Sequence, residues 1–499
     1  MMLMEFNKDL FLYFLCISCS CVILFNLMQK INKRNRLPPG PKGYPIIGNL
    51  VSIGDRAHES LAKYSKKYGP LMTLQLGYVT TIIVASSEMA RQILQKNDQV
   101  FAGRYIPDAV TAQTDYHLAI PWLSTGPHWR KLRRICTTEI FTMRKLDELQ
   151  EKRHKVMNDM IKVVGEAREN NKEISLGAII FGTVLNMLSN TMYSGDMLDL
   201  RSNVKEEMKE AIDRIFLLVA KPNYSDYFPF LKMFDLQGIR KDIKVSYDRL
   251  QEMLEVIIEL RKKERELGSS RVDDFLDVLL DHCQSHGNDE LTHKDVRFML
   301  QELFIAGSDT SSTTSEWVMA ELLHHPNIMA KVKKELEENI KGENVREGDI
   351  PKLRYLTAVI KETIRLHATS PLLLPHRSEA DIDVCGFFIP KHTRILINVY
   401  QISRDPAYWD EPLKFKPERF MNSEIDFQGR HYCFIPFGAG RRICPGWNLG
   451  IRMMTLMLAT LVHNFDWKLP NGMTPEEMDM KDKFGITLQK AEPLFAIPM

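Results

Sequence analysis

Apolar and polar positions along the chain separate into helical and strand patterns. Apolar turns at Leu300–Phe304 and Trp317–Leu322 flank a polar centre. This pattern predicts one long helix from Thr292 to His325, opened by a Thr292/Asp295 cap and ended by Pro326. Pro351 to Leu366 places Leu353, Leu356, Ile360 and Ile364 on one stripe, and Glu88 to Asn97 does the same with Met89, Ile93 and Leu94. Leu449 to Asn464 is an apolar helix and Ser60 to Tyr68 a short amphipathic one. From Met143 to Ser270 the period is mostly helical, with Arg261 to Arg271, charged and then Gly/Ser-rich, reading as a surface loop. Leu71–Gly77 and Thr80–Ala85 are β-branched and partly alternating, with a turn at Gly77-Tyr78. Shorter strand-like pieces fall at Cys385–Ile389 and Arg394–Tyr400. Phe101 to Pro127 is long and irregular, and such loops tend to be functional. The prediction is a mainly α protein with a small β region (α+β).

Composition sharpens this. The chain has 499 residues, 44% of them hydrophobic, and no linker long enough to divide its core. A net charge of +2 gives no case for nucleic acid. The eight cysteines show no disulfide-framework spacing, which suits a reducing compartment. Leu10 to Met28 carries no charge and just reaches bilayer length. Lys30, Lys33, Arg34, Arg36 and Lys42 follow it, where a cleaved signal peptide would show a small-residue site. The positive flank puts the N-terminus in the lumen and the rest in the cytosol. Residues 1–28 are therefore expected to be a lumenal N-terminus and transmembrane anchor in contact with lipid. Residues 29–49, with Leu37-Pro38-Pro39-Gly40-Pro41, are expected to be a basic, proline-stiffened hinge, and residues 50–499 the catalytic domain.

Candidate chemistry centres on Phe437-Gly438-Ala439-Gly440-Arg441-Arg442-Ile443-Cys444-Pro445-Gly446. A Gly-rich turn can aim backbone N–H groups at the Cys444 sulfur, and these, with the Arg442 cation, favour thiolate. With no second Cys or His at finger-like spacing, zinc fits poorly, and a single axial thiolate to haem iron fits well. The competing reading is a structural cysteine in a turn. A second candidate is Ala306-Gly307-Ser308-Asp309-Thr310, poor helix-forming material at the centre of a long helix. Thr310 offers a hydroxyl and Asp309 an exchangeable proton; the alternative is hydroxyls bonded back to their own helix. Trp129 and Arg133, four residues apart, share a helix face suited to a carboxylate, or are one face of a solvated basic helix.

Four segments occur together in order: Gly307-Ser308-Asp309-Thr310, Glu362-Thr363-Ile364-Arg365, Pro417-Glu418-Arg419-Phe420 and the Cys444 loop. From about Pro38 onward the chain resembles the cytochrome P450 family, closest to plant microsomal members and, among these, to terpenoid hydroxylases such as geraniol hydroxylases and ferruginol synthase. The resemblance implies the family fold, as a single haem domain on an N-terminal anchor. It implies haem b held by the Cys444 thiolate, with Trp129, Arg133 and His376 (or Arg377) at its propionates and Arg442 as a further cofactor-binding residue. It implies Thr310 and Asp309 in oxygen activation, and Glu362, Arg365 and Arg419 as a buried structural trio. Tyr105, Phe304, Ala306, Leu373 and Ile486 become pocket residues. The implied reaction inserts one oxygen atom from O2 into a small apolar substrate, with electrons from NADPH through a membrane-bound reductase at the endoplasmic reticulum. Arg130, Lys131 and Arg134 offer that reductase a basic surface. A terpenoid substrate is expected, with a phenolic or alkaloid metabolite as the alternative. Two further alternatives are a haem isomerase or dehydratase acting on peroxides and a non-catalytic haem carrier. His367 lacks the proline that usually follows it in the family.

Overall fold

A computed structural model describes residues 36–197, 204–268, 271–284 and 290–499. The anchor expected at Leu10–Met28 and the cations Lys30, Lys33 and Arg34 lie outside the described residues. The long helix spans His293–His324, and both halves of the Thr292/Asp295 capping box are formed. It is the axis of the molecule, and most of its length is buried. Helix Leu176–Tyr193 packs along it on one side; Ile239–Glu266, Arg354–Leu366 and Trp447–Asn464 pack on others. Leu176–Tyr193 is buried over 89% of its length, and among the described residues it alone is long and apolar enough to cross a membrane. It is the core helix of a folded domain.

The largest sheet of the small β region among the described residues has five strands. Leu71–Leu76 and Val79–Val84 pair antiparallel about the Gly77-Tyr78 turn. Arg394–Ile397 joins Val79–Val84 in parallel, and His376–Arg377 then Gly103–Arg104 complete the sheet antiparallel. This order draws two distant stretches, the 101–127 loop and the segment before Arg394, against one edge of the helical core. That loop is irregular as expected, apart from short turns of 3-10 helix at Asp108–Ala112 and Tyr116–Leu118.

Several boundaries differ from the sequence pattern. Pro351 lies in a 3-10 turn, so the helix starts only at Arg354. Strand Arg394–Ile397 gives way to a helical turn, Val399–Ile402. Arg261 is not in a loop. Helix Ile239–Glu266 carries it, and its guanidinium bonds Asp274 at 2.9 and 3.0 Å, which explains why so charged a stretch holds its helix. The proline-rich segment does not stand off as a spacer, because Pro39 accepts from the Thr73 amide at 2.9 Å and Asn49 accepts from Gln75 N–H at 2.9 Å. At Gly40 a β-carbon would sit 1.9 Å from the Thr73 carbonyl, so the chain from here is docked on the first strand.

Candidate active site

The Cys444 loop runs straight into helix Trp447–Asn464. Gly440 takes φ +67°, and a β-carbon there would meet the Leu94 carbonyl at 1.9 Å, so the turn needs glycine. Cys444 N–H closes the loop on the Phe437 carbonyl at 2.9 Å. The thiol is held above its ordinary value by burial, opposed by the Gly446 and Trp447 N–H groups at the helix N-terminus and by Arg133. Two N–H groups aim at the sulfur, but burial outweighs them, and the cation acting on the thiol is Arg133 rather than Arg442. Arg133 donates to the Ile443 carbonyl beside the sulfur. Arg442 turns the other way. It donates to the carbonyls of Ala102 (2.8 Å), Ile120 (3.4 Å) and Leu123 (2.6 Å), and its guanidinium lies 4.6 Å from the Trp129 ring centroid.

The result is a cluster of cations in which Arg133 and Arg442 are half-buried. Arg104 joins it, bonding the carbonyls of Pro121 at 3.1 Å and Leu374 at 2.9 Å. Burial, then Arg442 and Arg133, pull Arg104 down to about 9. Burial and Arg133 pull Arg442 down to about 10. His376 is buried, donates from Nδ1 to the Phe101 carbonyl (2.8 Å), and is held well below its usual value by burial and then Arg104. Its neighbour Arg377 points to Glu379 at 2.9 Å, so His376 and not Arg377 belongs to the cluster. Residues adjacent in a strand face opposite sides, which separates the two. Like charges gathered out of water call for an anion. Each guanidinium has five N–H groups, and Arg104 spends two on backbone carbonyls. The donor set therefore suits a ligand with two carboxylates, as haem has.

Across from the loop, Ala306 is exposed and Thr310 half-buried in the middle of a helix whose neighbours are mostly buried. Cys444 to Trp447 are also only half-buried, although the thiol lies deep in the protein. Both segments thus border internal space. The two helices meet here: a β-carbon on Gly450 would lie in ordinary contact with Ser311 Oγ, at 3.8 Å. Gly307 faces away, since a β-carbon on it would touch Leu188 at 3.0 Å. Thr310 Oγ1 donates to the Ala306 carbonyl at 2.5 Å, and Ser308, Thr314 and Ser315 bond back in the same way. The Asp309 carboxylate accepts from Thr487 Oγ1 at 2.6 Å and Gln489 Nε2 at 2.9 Å, which turns it to the C-terminal segment rather than to Thr310.

Glu362 is wholly buried and gripped by Arg365 at 2.7 and 2.9 Å, by Arg419 Nε at 3.0 Å and by the Lys416 N–H at 2.8 Å. Of the pocket candidates, Ala306 borders the internal space. Leu373 is half-buried and takes φ +52°, and Ile486 is half-buried against the main core. Tyr105 donates its hydroxyl to the Asp226 carbonyl at 3.0 Å. Phe304 does not line the space; it is fully buried, 6.1 Å from the Tyr193 ring. Arg104 was missed by the sequence reading, and the one signal for it was an Arg inside an otherwise apolar stretch of a long loop.

A mainly helical domain with a cysteine loop under its longest helix defines the class, and the comparisons agree. The sequence profile of the family Cytochrome P450 matches residues 38–495, and the chain belongs to that family. It is a mono-oxygenase by class, and the family implies haem with an axial cysteine thiolate. It is 43% identical to geraniol 8-hydroxylase of Swertia mussotii over 97% of this chain and 98% of the relative. It is 41% identical to 7-ethoxycoumarin O-deethylase of Helianthus tuberosus over 94% and 95%. A zebra fish cytochrome P450 solved with progesterone superimposes with a TM-score of 0.76 at 27% identity, covering 89% of this chain and 99% of that one.

Proposed function

We propose that this chain hydroxylates a small terpenoid, drawing electrons from NADPH through a membrane-bound reductase, with Cys444 as the axial ligand of haem b. The observation that carries the reading is the pairing of an N–H-lined thiol at Cys444 with the buried Arg104, the half-buried Arg133 and Arg442, and the buried imidazole of His376. One sulfur donor beside a nest for two carboxylates fits haem. Haem bound there supplies the oxygen-activating redox chemistry. The chain's residues do the rest. Trp129 and the cations orient the group, and Glu362 with Arg365 and Arg419 fixes the segment behind it. Thr310 holds a hydroxyl proton at the edge of the internal space, and Asp309 is braced by Thr487 and Gln489. The apolar helix flanks keep water out, which that chemistry requires.

The relatives named for geraniol favour a terpenoid over a phenolic or alkaloid substrate. Lipid contact is supported by exposed apolar side chains that gather near the start of the sheet, Phe230, Met233 and Phe234, with Tyr78 5.8 Å from the Phe230 ring. With the anchor expected at residues 1–28, it supports a position on the cytosolic face of the endoplasmic reticulum. The test incubates membranes carrying the full chain and a plant NADPH–cytochrome reductase with NADPH and a panel of terpenoids, phenols and alkaloids. A hydroxylated terpenoid formed only with NADPH and O2 supports the reading. Turnover of phenols or alkaloids alone contradicts it.

A further inference from the structure

Arg394 is a buried cation with no carboxylate of its own. It is 8% exposed, and no ion pair includes it among the described residues. Its Nε donates to Thr81 Oγ1 at 2.9 Å, and among the described residues no hydrogen bond engages either Nη. Neither Nη is walled off from solvent, so both stay open to a ligand. The guanidinium carbon lies 5.0 Å from the Tyr105 ring centroid and 5.5 Å from that of Tyr227. Ring faces attract a cation but bring no net charge, and a charge taken out of water calls for an anion. The carboxylates nearby are engaged elsewhere. Asp226 accepts from the Asp108 N–H at 2.7 Å, and burial holds its carboxyl above the ordinary value against that bond and Arg394. Asp108 lies 3.6 Å from Arg240, and Glu379 pairs with Arg377 at 2.9 Å.

The strand register says which way this cation faces. Residues opposite each other share a face of a sheet, and successive residues alternate. Thr81, Arg394 and Arg377 therefore lie on one face of the five-stranded sheet, and Arg104 and His376 on the other. Arg394 thus turns away from the cations that suit haem. Arg377, directly opposite it, adds a like charge on the same face. Tyr227 links the place to the exposed aromatic patch. Its carbonyl accepts from the Tyr78 N–H at 2.8 Å, and the Tyr78 ring lies 5.9 Å from Phe228 and 5.8 Å from Phe230.

We propose that Arg394, flanked by Tyr105 and Tyr227, binds the phosphate head group of an amphiphile whose apolar part lies against Tyr78, Phe228 and Phe230. The open Nη groups form a planar fork that matches phosphate oxygens, and the tyrosine rings on either side keep that contact partly out of water. The head group belongs either to a bilayer lipid or to a free amphiphile; the chemistry that recognises it is the same. The inference stands apart from the terpenoid reading, whose failure would leave it untouched.

The test is calorimetric titration of the full-length haem-loaded enzyme, in a neutral detergent, with decyl phosphate and decanol as probes. The wild type should bind decyl phosphate at least about tenfold more tightly than decanol, which lacks the anion. Arg394→Gln should erase that preference and Arg394→Lys should keep part of it, both with an unchanged reduced carbon-monoxide spectrum. Equal affinity of the wild type for the two probes overturns the inference, and this comparison needs no variant. So does a preference that survives in Arg394→Gln. A second arm separates the two sources of the head group by flotation with phosphatidylcholine vesicles, with and without phosphatidic acid. A gain from phosphatidic acid that Arg394→Gln loses assigns the site to a bilayer lipid. An equal gain in both proteins, with the decyl phosphate preference lost in the variant, assigns it to a free amphiphile.

Discussion

Arg442 stacks on Trp129, its guanidinium 4.6 Å from the ring centroid, and does not reach toward the sulfur of Cys444 two residues along. Three carbonyls of the 101–127 loop take its N–H groups. The arginine therefore ties the cysteine loop to the loop that carries Arg104, and its charge is offered to a ligand between them.

Arg442→Ala should lower the haem-to-protein ratio of the purified enzyme severalfold, because it removes a cation and the tie at once. Arg442→Lys should fall between the two, since an ammonium keeps charge but not the planar fork. Pyridine haemochrome assay against protein concentration measures it.

Glu362→Gln should be strongly destabilising. It leaves Arg365 and Arg419 buried with no counter-charge, and breaking such a group costs about 3–5 kcal/mol. Arg419→Lys should cost less, since Arg365 keeps both its bonds to Glu362. Thermal melts of the holoenzyme compare them.

Thr310→Ala should leave folding and substrate affinity near wild type, because its hydroxyl bonds only its own helix at Ala306. Turnover should fall about 10²-fold if the hydroxyl handles a proton. Thr314→Val gives the opposite pattern, as Thr314 bonds Thr369 at 2.8 Å and ties two segments together. It should lower the melting temperature with turnover per folded enzyme kept.

How these sites read in sequence depends on where their partners lie. The cysteine loop, the hydroxyl-rich helix centre and the Glu362/Arg365 pair are each set within a few residues, so pattern alone reaches them. Arg104 is not, because its partner carbonyl at Leu374 is 270 residues away. The choice of His376 over Arg377 needs the strand register, which local sequence does not carry. Arg261 misleads as a loop residue for the same reason, its carboxylates coming from a later segment. Asp309 is legible as a polar group in a weak helix centre, but not that Thr487 and Gln489 would hold it.

Acid should remove one defined part of the stability. Burial raises the Glu321 carboxyl, but hydrogen bonds from His325 and His367 outweigh it and bring it down to about 2, from 4.5 unfolded. A depressed folded value means the contribution is complete above about pH 4.5 and is lost as pH falls toward 2. Its size is on the order of 3 kcal/mol. Glu321→Gln should be less stable than wild type at pH 6 and lose less between pH 5 and 3, as denaturant titrations at each pH would show.

The central claim is that Cys444 supplies the axial thiolate. The most direct measurement is the carbon-monoxide difference spectrum of the dithionite-reduced full-length protein, wild type against Cys444→Ser. The account predicts a Soret band of thiolate-ligated haem in the wild type and its complete loss in the variant, with the helical circular dichroism retained. A variant that keeps both that band and its turnover contradicts it.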